Sequence, residues 1–276
     1  MQKINKNSRI YIAGHNGMVG TAIENRLLSL GYNNILTIDR KDLDLMDQQA
    51  VYSFIKNKKP EYIYLAAALV GGIHANNTMR ADFINNNIYI SSNIISGAFK
   101  AGVTKLLNLG SSCIYPKFSA QPITEECLLT GPLESTNEPY AIAKIASIKL
   151  CESFNNQYST QYVSLMPTNL YGPNDNYDLS SSHVLPALIR KIHEAKIKNN
   201  SEVVVWGTGS PKREFMYVDD LADACIFMME NEISNGIYNV GTGQDITIKS
   251  LVNIIAEIVG FKGEFLFDTS KPDGTP

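Results

Sequence analysis

A glycine-rich turn near the start of the chain sets the strongest limit on its fold. Residues 14–20 (GHNGMVG) follow the pattern GxxGxxG, after the apolar segment 9–13 and before the helical pattern 17–30, which Gly31 closes. Such glycines permit a tight turn, let the backbone approach a pyrophosphate, and allow the helix to pack closely on the strand. The N-terminus of the helix adds N–H donors and a favourable dipole. The segment therefore predicts a β-turn-α unit that binds a nucleotide, with a tight turn that binds nothing as the alternative.

Strand and helix patterns alternate through the first 166 residues. Short apolar runs predict strands, and apolar residues at helical spacing, ended by glycine or proline, predict helices. The predicted strands are 9–13, 35–38, 62–67, 105–109 and 162–166, and the predicted helices are 17–30, 47–58, 81–100 and 138–158. Near-continuous apolar strands are typical of parallel sheets that are buried on both faces. The order predicts a doubly wound, parallel α/β sheet of the Rossmann type.

Beyond Pro167 the pattern becomes mixed. A loop rich in Asn, Asp and Ser (172–182) leads into a predicted helix at 183–198, and Asp219 is expected to cap a further helix. The other elements predicted here are strands at 203–206, 238–240 and 264–267 and a helix at 247–259. We expect residues 1–170 to form the nucleotide-binding domain, with some later segments returning to it. Residues 171–276 are expected to form mainly a smaller α/β substrate lobe over the carboxyl edges of the strands.

Composition excludes several classes of protein. The 276 residues are 44% hydrophobic, and a net charge of −3 gives no electrostatic footprint for nucleic acid or an anionic membrane. The four cysteines lack CxxC or Cys/His spacing, which predicts reduced thiols and no metal site. The apolar run 62–73 is too short to cross a bilayer, and there is no room for a signal peptide before Ile10. We expect a cytoplasmic protein whose C-terminus, at Pro276, is cut short.

A tyrosine–lysine pair is the first candidate for chemistry. Tyr140 and Lys144 lie four residues apart in the predicted helix 138–158, so they share one face. An ammonium beside a phenol favours the phenolate, which suits it to exchange a proton with a carbonyl or an alcohol. The spacing alone is common, but Ser111 follows the fourth predicted strand at the same edge of the sheet. Its hydroxyl can bond the same substrate oxygen.

Two charged residues at the end of the second predicted strand leave the type of cofactor open. Asp39 suits a ribose 2′-hydroxyl, whereas Arg40 suits a 2′-phosphate. Each can also be an ordinary exposed loop charge.

Longer segments carry a family resemblance. The segments are LAAALVGGI (65–73), LGSSCIYPK (109–117), TNEPYAIAKIA (136–146), MPTNLYGP (166–173), SSHVLPALIRK (181–191) and REFMYVDD (213–220). With the glycine turn they resemble the extended short-chain dehydrogenase/reductase superfamily, and within it the GDP-L-fucose synthase family. The resemblance runs from Ile10 to Pro276. It implies an NADP(H)-dependent enzyme that epimerises GDP-4-keto-6-deoxy-D-mannose at C3 and C5 and reduces it at C4.

The same resemblance implies a homodimer, formed when the two long helices of each chain build a four-helix bundle. It leaves one alternative among enzymes, a C4 reductase or epimerase/reductase for another GDP-4-keto-6-deoxy sugar such as a heptose. An alternative of a different class is a cofactor-binding regulator without activity. Such a regulator has no use for the full set of reactive side chains that the resemblance implies.

By position, the resemblance assigns Ser111, Tyr140 and Lys144 to reduction and Cys113 and His183 to acid/base catalysis of epimerisation. The expected cofactor-binding residues are Gly14, Gly17, Met18, Val19, Gly20, Asp39, Arg40, Asp44, Leu45, Ala67 and Lys144. The expected GDP-sugar-binding residues are Asn169, Val184, Lys191, Trp206 and Arg213. The residues by themselves leave Trp206 as either a core side chain or a stacking platform for a base.

The chemistry of a 4-keto sugar explains why a thiol and an imidazole suit this assignment. The carbonyl acidifies the hydrogens at C3 and C5, so inversion needs a base on one face and an acid on the other. Cysteine and histidine have pKa values that proteins tune into the working range. Without the resemblance, the residues themselves favour Cys113 as a small buried residue and His183 as a polar residue at a helix start.

The chain departs from the family pattern at three places. Asn16 stands where a relative carries an arginine toward the 2′-phosphate. Lys191 replaces an arginine near the diphosphate, which exchanges a bidentate fork for a point charge. A further basic residue, expected near the nucleotide in the C-terminal segment, is absent from the sequence.

Overall fold

The computed structural model describes residues 4–233 and 235–276. Its strands are β1 (Ile10–Ala13), β2 (Ile35–Leu36), β3 (Tyr62–Leu65), β4 (Lys105–Leu109), β5 (Tyr162–Pro167), β6 (Asn169–Tyr171), β7 (Glu202–Trp206), β8 (Lys212–Tyr217), β9 (Gly236–Val240), β10 (Asp245–Thr247) and β11 (Glu264–Asp268). Its helices are α1 (Met18–Ser29), α2 (Gln48–Lys58), α3 (Ile73–Thr78), α4 (Arg80–Ala101), α5 (Glu138–Tyr158), α6 (Val184–Ile197), α7 (Val218–Glu230) and α8 (Ile248–Val259). The helices among these residues include none that is long and apolar enough to cross a membrane.

The main sheet has six parallel strands in the order β2-β1-β3-β4-β5-β9. The predicted doubly wound parallel sheet is therefore confirmed. The chain leaves β1 toward β2 and then crosses to β3 on the other side of β1. Ligands bind such sheets outside the carboxyl ends of the strands where this reversal occurs. The point of reversal lies between β1 and β3, next to the glycine turn.

Two apolar cores form because alternate residues of each strand face opposite sides of the sheet. Ile10 and Ile12 of β1 belong to the core beneath α1 and α7, whereas Tyr11 and Ala13 belong to the core beneath α2, α4 and α5. The side chains that β1 contributes are buried. The strands therefore read as continuous apolar runs in the sequence.

Lys105 joins the sheet to the end of α7. Its side chain is buried, and its Nζ donates hydrogen bonds of 2.6 Å to Met228 O and 2.8 Å to Asn231 O. The last carbonyl groups of a helix lack partners within the helix, and an ammonium satisfies them. A residue of β4 thus fixes a segment 123 residues later in the chain.

The second region is built around two small sheets. One has the order β10-β8-β6, and the other pairs β11 with β7 in parallel. Helices α6 and α8 pack on each other and share an apolar core with β7. After α6, β7 and β8, the chain returns to the main sheet through α7 and β9. The domain boundary near residue 170 stays a prediction.

Three short strands and one short helix are missing from the sequence prediction, namely β6, β8, β10 and α3. Each of these strands has three to six residues and pairs with a segment distant in the chain, so local patterning carries little signal for it. The prediction that Asp219 caps its helix is wrong. Because β8 runs through Tyr217, that residue is the N-cap of α7, and Asp219 lies in the first helical turn.

Candidate active site

A cavity of about 650 Å³ opens at the carboxyl edge of the main sheet. The loops after β1, β3, β4 and β5 form its floor and sides, and the loop 174–183 closes one end. Residues expected to bind the cofactor and residues expected to catalyse line this same cavity. Those lining it are Gly14, Gly17, Met18, Val19, Gly20, Arg40, Asp44, Leu45, Ala67, Ser111, Cys113, Tyr140, Lys144, Asn169 and His183.

The glycine turn has a shape that side chains would destroy. Gly14 has φ +91°, and a Cβ there would lie 2.7 Å from the backbone of Ala67. A Cβ at Gly20 would overlap the carbonyl oxygen of Gly14. Gly17 is the N-cap of α1, and no side chain caps this helix start. The first N–H groups of α1 therefore border the cavity without a capping side chain, as a pyrophosphate site requires.

The two charged residues after β2 have different surroundings. Arg40 lines the cavity, whereas Asp39 accepts a 2.8 Å hydrogen bond from Nδ2 of Asn16. The Asp39 carboxylate also lies 3.5 Å from Nε2 of His15 and 3.8 Å from Nζ of Lys41. Asn16 and His15 of the glycine turn, together with Lys41, surround the Asp39 carboxylate, and Arg40 is the charged residue of the pair that lines the cavity.

Lys144 is buried beside Tyr140. Its Nζ donates a 2.7 Å hydrogen bond to Leu109 O and lies 5.7 Å from the centre of the Tyr140 ring. Burial lowers the pKa of Lys144 to about 8, against the opposing effect of Cys113. Burial also raises the pKa of Tyr140, and the charge of Cys113 adds to that rise. In the protein alone, burial therefore opposes the phenolate that the Tyr140–Lys144 pair is expected to favour, and the role of the pair stays a prediction.

Cys113 lies in a one-turn 3₁₀ helix (Ser112–Ile114) directly after β4. Its backbone N–H donates to Oγ of Ser111 at 3.4 Å, which caps this turn. Burial raises the pKa of the Cys113 thiol to about 11, although the hydrogen bond with Ser111 and the charge of Lys144 both lower it. Deprotonation of the Cys113 thiol therefore depends on the stabilising effects of Ser111 and Lys144.

His183 is the N-cap of α6, but its side chain makes no capping hydrogen bond. The imidazole faces the cavity, where solvent reaches it although protein atoms surround it. Burial among these atoms lowers the pKa of His183, and the charge of Asp175 opposes that change. The position at the helix start was one interpretation of this residue, and a side chain free of capping leaves it available for chemistry.

Four expected substrate-binding residues lie outside the lining of the cavity: Val184, Lys191, Trp206 and Arg213. Trp206 is 43% exposed, which excludes the interpretation that it is a core residue. The Nζ of Lys191 lies 5.2 Å from the centre of its ring. The Arg213 guanidinium instead donates to Thr275 O at 2.7 Å and to Asp273 O at 3.1 Å.

Arg213 nevertheless lies near the wall of the cavity. Gly274 lies between Arg213 and Ile73, because a Cβ placed on it would be 3.2 Å from Nη2 of Arg213 and also 3.2 Å from Cδ1 of Ile73. Ile73 lines the cavity. The structure thus places the Lys191–Trp206 pair and Arg213 in the second region, as separate groups.

Sequence reasoning missed Asp175, which lines the cavity beside the catalytic candidates. The loop 172–182 looked merely polar in the sequence. The sequence offered one signal for it: Asp175 is an acidic residue eight positions before His183, in a loop so polar that it must lie at the surface.

Comparison with known proteins agrees with this geometry. The sequence profile of the NAD dependent epimerase/dehydratase family matches residues 10–241. GDP-L-fucose synthase 1 of Arabidopsis thaliana is 55% identical over 271 residues, which is 98% of this chain and 84% of the relative.

Two solved structures are similar throughout. A GDP-6-OMe-4-keto-L-xylo-heptose reductase from C. jejuni has a TM-score of 0.92 at 39% identity, covering 99% of this chain and 89% of its own. A GDP-L-fucose synthetase from Naegleria fowleri, bound to NADP, has a TM-score of 0.89 at 30% identity and covers 99% and 85%.

Proposed function

The chain belongs to the NAD dependent epimerase/dehydratase family, and we propose that it converts GDP-4-keto-6-deoxy-D-mannose to GDP-L-fucose. It inverts C3 and C5 and reduces C4 with NADPH. The observation that carries this proposal is that Cys113 and His183 share one cavity with Ser111, Tyr140 and Lys144. An enzyme that only reduces C4 needs Ser111, Tyr140 and Lys144. An epimerase/reductase also needs an acid/base pair such as Cys113 and His183.

NADPH fits the glycine turn described above, where the backbone N–H groups at the start of α1 would donate to the pyrophosphate. Arg40 supplies the positive charge that a 2′-phosphate requires. Bound there, NADPH supplies the hydride for C4. Asp44, Leu45 and Ala67 line the same part of the cavity.

Epimerisation uses the acidity that the 4-keto group gives to the hydrogens on C3 and C5. One member of the Cys113–His183 pair removes a proton from one face of the sugar, and the other delivers a proton to the opposite face. The hydroxyl group of Ser111 donates a hydrogen bond to the C4 oxygen and stabilises its negative charge in the enolate.

Reduction uses the same oxygen. When C4 receives hydride, the phenol of Tyr140 donates its proton to the C4 oxygen, which leaves an alcohol. The Lys144 ammonium, held by Leu109 O, stabilises the phenolate that forms and can return a proton to it. A buried phenol with a raised pKa keeps its proton until the oxygen of the substrate requires it.

The GDP part of the substrate extends toward the second region. Asn169 lines the cavity, Trp206 presents an exposed ring that can stack on a base, and Lys191 and Arg213 supply positive charge for the diphosphate. Val184 follows His183 in the first turn of α6 and supplies apolar contact.

The decisive experiment is incubation with GDP-4-keto-6-deoxy-D-mannose and NADPH in deuterium oxide, followed by NMR of the product. We expect GDP-L-fucose with deuterium at C3 and C5. A product reduced at C4 with both centres retained would favour the alternative, a C4 reductase for another GDP-4-keto-6-deoxy sugar such as a heptose. The similarity to the heptose reductase structure makes that comparison necessary.

The assembly is a homodimer formed through α4 and α5. These helices pack on each other, yet several apolar side chains on them stay exposed, including Tyr89 at 48% and Ile142 at 41%. A second pair of the same helices would cover them as a four-helix bundle. Light scattering should give twice the 30.5 kDa chain mass, and Ile142→Glu should halve it. A monomer mass for the unaltered protein would contradict the dimer.

The enzyme operates in the cytoplasm. Its four cysteines are free thiols, which suits a reducing compartment. Cell fractionation followed by immunodetection tests this placement.

A further inference from the structure

The loop between β6 and α6 folds back on itself and brings its two ends together. Nδ2 of Asn176 donates a 2.9 Å hydrogen bond to Oγ of Ser181. The Asp178 carboxylate accepts from the backbone N–H of Ser181 at 3.1 Å, and Asp178 O accepts from the N–H of Ser182 at 2.8 Å. Asp175 and His183 flank this closed segment, and both line the cavity.

A second contact fixes the loop from outside. The N–H of Gly72 donates a 2.8 Å hydrogen bond to Ser181 O, and a Cβ at Gly72 would overlap Ser182 O. The chain before α3 therefore presses against the backbone next to His183. The ends of the loop are held by the fold and do not depend on a ligand.

The Asp175 carboxylate and the His183 imidazole interact electrostatically. Burial raises the pKa of Asp175, and the charge of His183 lowers it. In return, the charge of Asp175 raises the pKa of His183 against the lowering effect of burial. The backbone N–H of Asn176 donates to Oδ1 of Asp175 at 2.7 Å, which keeps the carboxylate at this end of the loop.

We propose that Asp175 is a positioning residue that acts through His183: its carboxylate, held at the end of the closed loop beside the cavity, stabilises the protonated imidazole for delivery of a proton to the sugar. This inference rests on the proposed function, in which His183 is one member of the acid/base pair. A neighbouring carboxylate shifts the pKa of an imidazole across neutral pH, so its charge decides how much imidazolium is present.

Other charged groups of the cavity are placed differently. Cys113, Tyr140 and Lys144 belong to the 3₁₀ turn and α5, on the sheet side, and Arg40, Asp44 and His15 lie at the cofactor end. Among the described residues, the charge that acts on the pKa of His183 is that of Asp175. Removing the charge of Asp175 should therefore leave burial unopposed and reduce the fraction of imidazolium.

A titration without substrate tests the pairing directly. The imidazole signals of the four histidines are followed by NMR against pH, and the signal of His183 is identified by its loss in His183→Asn. In Asp175→Asn, which keeps an oxygen for the N–H of Asn176, we expect the pKa of His183 to fall by about 1 unit. An unchanged pKa overturns the proposal. If this variant does not fold, Asp175→Ser is measured in the same way.

The matched control is Asp178→Asn. It removes a carboxylate charge from the same loop and keeps an oxygen that accepts from Ser180 and Ser181. We expect the titration of His183 to stay as in the unaltered protein. An equal shift in both variants would show a general effect of charge and would overturn the specific role of Asp175.

Catalysis supplies the second measurement. Deuterium exchange at C3 and C5 in Asp175→Asn should slow about tenfold at neutral pH, and its alkaline limit should move to lower pH, as expected when a smaller fraction of His183 is protonated. Asp175→Glu should restore most of the rate. Exchange at the unaltered rate and with an unaltered pH profile overturns the proposal. If the unaltered protein fails to exchange at all, the proposed function fails, and the titration still decides the role of Asp175.

Discussion

Asn16 donates a 2.8 Å hydrogen bond from its side-chain amide to the carboxylate of Asp39. This bond and the neighbouring His15 draw Asp39 toward the glycine turn, and Arg40 is left lining the cavity. An arginine at position 16 would offer a second cation for a 2′-phosphate, whereas the amide offers none. We therefore expect the preference for NADPH to depend on Arg40 among these residues.

We expect Arg40→Ala to raise the KM for NADPH about 10–100-fold, because a hydrogen-bonded charge contact contributes about 1.5–3 kcal/mol. The KM for NADH should change little. Steady-state kinetics with both cofactors measures the ratio. Equal changes for the two would refute the assignment of Arg40 to the 2′-phosphate.

The glycine turn offers a matched pair of substitutions. A Cβ at Gly20 overlaps Gly14 O, whereas a Cβ at Gly17 lies 3.5 Å from the same oxygen, an ordinary contact. Gly20→Ala should lower stability by about 1–3 kcal/mol through overpacking and weaken NADPH binding. Gly17→Ala should keep the melting temperature. Thermal unfolding and NADPH fluorescence titration measure both, and similar behaviour of the two variants would contradict the close approach at Gly20.

Tyr140→Phe should separate reduction from epimerisation. The variant lacks the phenolic proton that the C4 oxygen requires, so NADPH oxidation should fall by about 10²–10⁴. Exchange of the C3 and C5 hydrogens with deuterium should continue, since it needs Cys113, His183 and a stabilised enolate. Absorbance at the NADPH band and NMR of the recovered sugar report the two steps. Loss of exchange together with reduction would show that Tyr140 also serves epimerisation.

The converse variants are Cys113→Ser and His183→Asn. A serine hydroxyl has a much higher pKa than a thiol, and asparagine has no proton to exchange, so deuterium incorporation should fall by about 10²–10⁴. Slow NADPH oxidation with the unepimerised keto sugar should remain. Incorporation at the unaltered rate in both variants would identify the wrong pair and favour the reductase alternative.

Lys144→Met should raise the pKa of Cys113 above its value of about 11, because the ammonium now lowers it. Only the thiolate reacts with iodoacetamide, and its fraction rises tenfold per pH unit below the pKa. At pH 7, where most of Lys144 carries its proton, we expect alkylation of Cys113 to slow about tenfold. Mass spectrometry of the digested protein measures it, with Cys127 in the same digest as the reference. Faster alkylation in the variant would contradict the electrostatic coupling.

Much of the fold could be predicted from the sequence because its signals are local. The bounds of β4 and α5 agree with prediction at both ends, since a continuous apolar run and a long helical pattern define them. By contrast, β6 and β8 pair through Asn169 and Phe215, which lie 46 positions apart, and no local pattern encodes that pairing. Partner choice between distant short strands is decided by packing.

The location of the candidate site could be predicted, because it follows from the topology of the sheet. Ser111 follows β4, and Tyr140 lies in the first turn of α5, the helix after the same strand, so both line the cavity at the carboxyl edge of the sheet. What spacing could not give is the balance between burial and charge, which raises the pKa of Tyr140 although Lys144 is close. It also could not give the fold-back that carries Asp175 to His183, because that depends on hydrogen bonds within the loop.

The return of α7 and β9 to the main sheet also bears on the order in which a growing chain can fold. The apolar face of β4 and β5 stays uncovered until residues 218–230 have been synthesised, and Lys105 has no carbonyl partners at Met228 and Asn231 before then. A domain formed by one continuous segment of the chain can fold as soon as that segment has left the ribosome. Here the half of the enzyme that is translated first must wait for the half that follows, and the nascent chain carries an exposed apolar surface in the meantime.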